Sequence, residues 1–138
     1  MSWDVMVHRF PKSVEKIEDV PDDFRPPIIG DRLEIVSRLQ DLFPKIKCLD
    51  ASWLVLDESD FSIEVSVGKK DECDGFFLHV RGSDRSVNAV CKIASHFEMR
   101  AFDLTSGRFL DNMIDPAVGL RQWRAYQKRK SNEEPDTC

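Results

Sequence analysis

Apolar and polar positions alternate between residues 53 and 107 in a way that predicts strands with two distinguishable faces. In the run 61–67, odd-numbered residues are apolar and even-numbered residues are polar, which is the period of a half-buried strand. The run 76–81 separates into Phe76, Leu78 and Val80 on one side and Phe77, His79 and Arg81 on the other. One face of the predicted sheet must therefore cover a core. The opposite face carries aromatic and ionisable side chains whose role needs an explanation.

The remaining elements follow from helical spacing, strand alternation and turn residues. Residues 3–10 fit a first strand, and the proline-rich, acidic segment 11–30 predicts an irregular excursion with one helical turn at 14–17. Helical spacing of apolar residues predicts helices at 31–43, 85–97 and 117–130. Further strands are predicted at 52–57, 100–104 and 108–110.

The last hairpin and the last helix carry specific expectations about burial. Alternation predicts that three apolar residues of the hairpin share one face: Phe102, Leu104 and Phe109. Asp103, between them, is expected on the hairpin surface. Helical spacing makes Leu120, Trp123 and Tyr126 the predicted anchors of the last helix.

Strand parity also predicts which residues lie opposite each other. If Asp57 pairs with Asp60 in a tight turn, Trp53 lies opposite Glu64. The turn lacks Gly and Asn, which leaves a longer loop with a shifted register open. Simple closure of the next hairpin predicts two pairs, Glu64 with His79 and Ser62 with Arg81.

These elements predict an α+β fold in a single domain, 1–130, with a mainly antiparallel sheet and two or three helices packed on one face. The 138 residues suit one domain. The helices at 31–43 and 85–97 should cover the face formed by Leu54, Leu56, Ile63, Val65, Leu78 and Val80. Residues 131–138 are polar and predict a flexible tail.

Charge and composition narrow the partner class. The chain carries a net charge of −5, and residues 1–115 hold 15 of its 20 basic and 22 of its 25 acidic residues. An acidic body disfavours nucleic acid and favours a basic protein partner. The sequence shows neither an apolar stretch long enough for a membrane span nor a signal-peptide pattern, so we expect a cytoplasmic protein with no membrane partner.

The chain carries few motifs that indicate catalytic or metal-binding chemistry. The four cysteines are scattered without C-x-x-C spacing, so no metal site and no cofactor is predicted. No phosphate-binding glycine loop, H-E-x-x-H or G-x-S-x-G motif is present, and no catalytic residue is assigned. The candidate partner-binding residues are Trp53, Asp57, Glu58, Asp60, Glu64, Phe77, His79 and Arg81.

Several segments together resemble a known group of small bacterial proteins. They are Met1–Met6, Leu42-Phe43-Pro44, Ser62-Ile63-Glu64, Leu78–Gly82, Arg100–Asp103 and Phe109-Leu110-Asp111. The group is similar to the immunity proteins that accompany polymorphic or type VI secretion toxins, and the resemblance spans roughly residues 1–125. It implies a protein-binding role and supplies no catalytic residue.

The leading hypothesis is therefore an immunity-type protein that neutralises a cognate, basic toxin by occlusion and is not an enzyme. The acidic segments 57–60 and 71–74 would speed association, and Trp53 would anchor the complex. The alternative is a small enzyme or ligand-binding domain in which Glu64 orients His79 and Arg81 holds an anion. A structural subunit of a larger assembly is a third possibility, and the oligomeric state is left open.

Overall fold

The computed structural model describes residues 2–50, 52–112 and 115–133, and these residues form the expected α+β domain. Within them the strands are β1 Trp3–His8, β2 Gly30–Asp31, β3 Lys47–Asp50, β4 Trp53–Asp57, β5 Phe61–Ser66, β6 Glu72–Cys73, β7 Gly75–Gly82, β8 Arg100–Asp103 and β9 Arg108–Phe109. The helices are α1 Arg32–Leu42, α2 Arg85–His96 and α3 Val118–Glu133, with short 3₁₀ turns at Ile17–Asp19 and Leu110–Asn112. The fold class is confirmed.

The described strands build one antiparallel sheet in the order β3-β4-β5-β7-β1-β8-β9, beside a small β2-β6 ladder. β5 and β7 pair Glu64 with His79 and Ser62 with Arg81, as parity predicts. The tight-turn register of β4 and β5 is wrong. The longer loop is correct, because Trp53 lies opposite Ser66, a shift of two residues that leaves every side chain on its predicted face.

One face of the sheet is covered by the helices and forms the main core. Its buried residues include the predicted set Leu54, Leu56, Ile63, Val65, Leu78 and Val80, together with Ile35 and Leu39 of α1 and Val90 and Ile93 of α2. The predicted packing of the first two helices on this face is confirmed. In α3, Leu120 is fully buried and Trp123 packs partly against the core, but Tyr126 is 49% exposed, so its predicted anchoring role is wrong.

The opposite face, which we call the outer face, is divided into a covered half and an open half. Residues 10–24, which we call the strap, cross it over β1, β8 and β9. The strap covers a second aromatic cluster in which the Phe109 ring lies 5.2 Å from the rings of both Phe10 and Phe102. Further residues packed against this cluster are Met6, Val14, Ile17, Val20 and Phe24. The part of the outer face over β4, β5 and β7 is the open half.

Two charged residues, Arg100 and Asp103, are buried, and each joins segments that are distant in sequence. Arg100 donates to Asp111 through two nitrogens, at 2.8 and 2.9 Å, and to the carbonyls of Pro11 and Val14 in the strap, at 2.7 and 2.6 Å. Asp103 is fully buried and accepts a hydrogen bond of 2.8 Å from the Trp3 indole. The predicted surface position of Asp103 is therefore wrong. It is the carboxylate that joins β1 to the β8–β9 turn.

Several local features differ from the sequence predictions. The helical turn forms at Ile17–Asp19 instead of 14–17. Leu104 is 45% exposed, because the chain turns after Asp103 and carries it away from Phe102 and Phe109. Helix α3 continues to Glu133, and the remainder of the predicted tail, 134–138, lies outside the described residues.

Two basic residues of α3, Arg121 and Arg124, form ion pairs with another part of the fold. Arg121 donates to Asp84 at 2.8 Å, and Arg124 also pairs with Asp84 at the start of α2. Hydrogen bonding to Arg121 holds the pKa of the Asp84 carboxyl below its ordinary value. These two cations therefore join α3 to α2. None of the described helices is both long enough and apolar enough to cross a membrane.

Candidate functional site

The candidate residues fall into two groups on the open half of the outer face. Trp53 of β4, Glu64 of β5, and Phe77, His79 and Arg81 of β7 project from the face itself. The acidic residues occupy the end of β4 and the turn that follows it: Asp57, Glu58 and Asp60. The sheet therefore places five of the predicted residues on one side of three adjacent strands, with the acidic residues where β4 ends and in the turn that follows.

Three rings form a compact aromatic cluster on the open half, towards the end where β4 begins. The Trp53 ring stacks on the imidazole of His79, with centroids 5.6 Å apart and 22° between the planes. Phe77 lies 5.1 Å from the same imidazole. Trp53 sits two strands away from His79, so its ring must cross β5, and the small side chain of Ser66 opposite Trp53 leaves room for that crossing. Trp53 and Phe77 are both half-buried.

The cluster belongs to an apolar row that crosses most of the sheet. Cross-strand neighbours in this row are Trp53, Ser66, Phe77, Met6, Phe102 and Phe109. The strap covers the Met6, Phe102 and Phe109 end of the row, and the Trp53 and Phe77 end lies on the open half. One end of this row, over β1, β8 and β9, is therefore buried by the strap. The other end, over β4, β5 and β7, is not covered by the strap.

His79 is oriented by residues at the start of the chain. Its Nδ1 lies 2.9 Å from the Asp4 carboxylate, and because a carboxylate only accepts, Nδ1 carries the proton. The Ser2 hydroxyl donates to the same carboxylate and lies 3.4 Å from His79 Nδ1. Ser2 and Asp4 therefore hold one edge of the imidazole while Trp53 covers its face.

Glu64 is paired with Arg81. Arg81 Nη1 donates to Glu64 Oε2 at 2.9 Å, and this hydrogen bond lowers the pKa of the Glu64 carboxyl below its ordinary value. The alternative enzyme hypothesis required Glu64 to orient His79. The two residues are cross-strand neighbours, but the structure assigns Arg81 to Glu64 and Asp4 to His79.

The acidic turn between β4 and β5 contains two kinds of carboxylate. Asp60 accepts hydrogen bonds from Ser83 at 2.6 Å and from Arg85 at 2.8 Å, and the Ser83 contact lowers its pKa. Glu58 lies 4.0 Å from Lys45, and Asp57 is exposed at the end of β4. Asp60 therefore ties the turn to the start of α2, and Asp57 and Glu58 are better suited to meet a partner.

The second acidic segment, 71–74, lies at the other end of the strands. Asp71 is 3.9 Å from Arg32, Asp74 is 4.0 Å from His8, and Cys73 is buried. Lys69 and Lys70 precede this segment and offset part of its charge. The predicted acidic surface is thus two separate patches at opposite ends of the open half.

Sequence reasoning missed Ser2, Asp4 and Ser66 as members of the site. The alternation of Trp3, Val5 and Val7 would have placed Asp4 on the outer face, but the pairing of β1 with β7 is a long-range contact. Ser66 was recognised as an outer-face residue, and its role depends on the Trp53 ring crossing above it. In the described part of the chain, no group of three or more histidine, cysteine or acidic side chains is placed to hold a metal ion.

Comparison with known proteins adds no assignment. No family model matches the chain, and no curated protein or solved structure matches it either. The resemblance to immunity proteins therefore stays a prediction, and the argument for function rests on the geometry of the open half.

Proposed function

We propose that this protein is a cytoplasmic immunity-type protein that binds a basic cognate toxin on the open half of the outer face and neutralises it by occlusion. The observation that carries the proposal is the three-ring cluster of Trp53, His79 and Phe77, held in place by Asp4 and left uncovered by the strap. A preoriented aromatic group costs little conformational entropy on binding, which is the property of an interface anchor.

The dimensions of the open half bear on how a partner would dock. The three strands lie about 4.8 Å apart, and the 6 residues of the central strand β5, at about 3.3 Å each, give a projected area of roughly 300 Å². A stable interface needs about 800 Å² from each partner. The toxin must therefore also cover the flanking turns, which brings the acidic segments at 57–60 and 71–74 into the interface.

The anchor and the acidic turn would act at different stages of binding. Trp53 and Asp57 stand at opposite ends of β4, about 13 Å apart along the strand. Charges at the turn would attract a basic toxin at long range, and this attraction is screened over about 8 to 10 Å at physiological ionic strength. The aromatic cluster would act after contact, by resisting dissociation.

Binding kinetics with any toxin domain that a neighbouring gene encodes test the proposal. Asp57→Asn combined with Glu58→Gln should lower the association rate, more so at low salt, and Asp60 is left unchanged because it supports the turn. Trp53→Ala should raise the dissociation rate, with a loss of about 2 kcal/mol. Leu104→Ala is the matched control, because Leu104 is an exposed apolar residue in the β8–β9 turn. Equal kinetics for Trp53→Ala and Leu104→Ala would place the interface elsewhere.

The enzyme alternative has less support from the same geometry. A general base is expected within hydrogen-bond reach of its orienting group, beside a cavity that admits substrate. Asp4 instead of Glu64 orients His79, but the cavity of about 210 Å³ where β5 ends and β7 begins is lined by Ser66 and Phe77 and by neither His79 nor Glu64. We therefore place binding ahead of catalysis.

A further inference from the structure

A small depression lies beside the aromatic row, where β5 and β7 meet the loop that joins β5 to β6. Its volume is about 210 Å³, below the roughly 300 to 1,000 Å³ typical of small-molecule sites. Its lining includes Ser66, Phe77, Asp74 and His8. A space of this size accepts one side chain of a partner.

Two glycines line the depression. Gly75 has no room for a side chain, because a Cβ there would lie 2.2 Å from His8 Nδ1 and 2.2 Å from the Val7 carbonyl oxygen. Gly68 has a φ of +83°, a conformation that favours glycine, and a Cβ there would meet no atom within 4 Å. Gly75 therefore lets the His8 imidazole lie directly against β7, and the space beside Gly68 is open.

The residues that line the depression indicate which kind of side chain it can bind. The Asp74 side chain is 53% exposed, so its carboxylate is available at the surface of the depression. His8 Nδ1 lies 2.9 Å from the Asp74 carbonyl, and because a carbonyl only accepts, the imidazole donates there. A long basic side chain can lay its apolar stem or its cationic head against Phe77 and pair with Asp74.

We propose that this depression is an anchoring pocket for one arginine or lysine side chain of the protein partner. The inference rests on the proposed function and names the chemistry that the toxin must present at this end of the open half. Charge complementarity supports a basic occupant, since residues 1–115 carry 22 acidic and 15 basic residues. Lys69 and Lys70 line a larger neighbouring cavity, which shares Val67, Gly68 and Asp74 with the depression.

The pocket can be tested without the toxin. ¹H–¹⁵N NMR should show saturable shifts of the Gly68, Gly75 and Phe77 amides when N-acetyl-L-arginine amide is added in the millimolar range. N-acetyl-norleucine amide has a similar apolar stem without the charge and should give no such shifts. Asp74→Asn should abolish the arginine shifts, whereas Asp71→Asn, with the same change of charge on the same loop, should retain them.

The outcomes separate this inference from the proposed function. Absent arginine shifts, equal shifts with norleucine, or unchanged shifts in Asp74→Asn overturn the pocket. With the toxin, Asp74→Asn should dissociate about tenfold faster than Asp71→Asn, the factor expected for about 1.4 kcal/mol. Equal dissociation of the two variants also overturns the pocket. If the arginine shifts are present but the wild-type protein does not bind the toxin, the pocket stands and the immunity role is rejected.

Discussion

Arg100 should be the residue on which the division of the outer face depends. Its guanidinium is 7% exposed, pairs with Asp111 and donates to the carbonyls of Pro11 and Val14. It also lies 4.0 Å from the centre of the Phe109 ring. Arg100→Met keeps most of the apolar stem and removes every donor, so the strap loses its polar attachment to β8.

The loss of folding stability caused by Arg100→Met depends on which polar groups lose their hydrogen-bond partner. Asp111 is 53% exposed and can be hydrated, so its loss of a partner costs little. The two half-buried strap carbonyls cost about 1 to 3 kcal/mol each where water does not reach them, and the lost cation–π contact adds about 0.5 to 2 kcal/mol. Allowing for partial hydration of the carbonyls, we expect a destabilisation of about 3 kcal/mol.

Urea unfolding and hydrogen exchange measure this effect together. Arg81→Met is the matched control on the open half, where the side chain is 45% exposed and an ion pair contributes about 0 to 1 kcal/mol. Arg100→Met should also speed exchange of the strap amides of Val14, Asp19 and Val20. Equal urea midpoints for the two variants, or unchanged strap exchange, would show that Arg100 does not hold the strap.

Three further predictions concern stability. Leu78→Ala should cost about 2 to 5 kcal/mol in urea unfolding, because Leu78 is fully buried beneath the helices, and a cost below 1 kcal/mol would place it outside the core. Asp103→Ala and Trp3→Phe should show a coupling energy of about 1 kcal/mol in a double-mutant cycle, since the 2.8 Å indole hydrogen bond joins them, and strict additivity would deny that bond a role. Because Arg81 lowers the folded-state pKa of Glu64, their pairing stabilises the fold above the ordinary carboxyl value of 4.5 and is lost as pH falls through the lower folded value. Glu64→Gln should therefore flatten the acid decline of the urea midpoint, and an unchanged slope would show that the pair does not contribute.

Most of the fold could be predicted from the sequence, because the alternation of apolar and polar residues distinguishes the two faces of the sheet. The alternation 61–67 and the run 76–81 identify the core face and the outer face, and parity predicts Glu64 opposite His79. The turn after Asp57 was ambiguous because it lacks Gly or Asn. A shift of two residues changes the partners of Trp53 but not the face it occupies, so local sequence could not settle the register.

The parts of the site that could not be predicted depend on long-range contacts. Asp103 follows an apolar residue in a short hairpin, and its burial becomes evident only when Trp3, 100 positions earlier, is brought beside it. The pairing of Asp4 with His79 depends in the same way on the contact between β1 and β7. The strap carries too little periodic pattern to reveal that it covers half of a sheet face.

A toxin-neutralisation titration is the most direct test of the proposed role of the open half. Wild-type protein, Trp53→Ala and Leu104→Ala are titrated against a fixed amount of any toxin domain that a neighbouring gene encodes. Wild type and Leu104→Ala should neutralise at the same concentration, and Trp53→Ala should need roughly 30-fold more, the factor that corresponds to about 2 kcal/mol. Neutralisation by folded Trp53→Ala at the wild-type concentration, or no neutralisation by the wild type, would contradict toxin binding on this face.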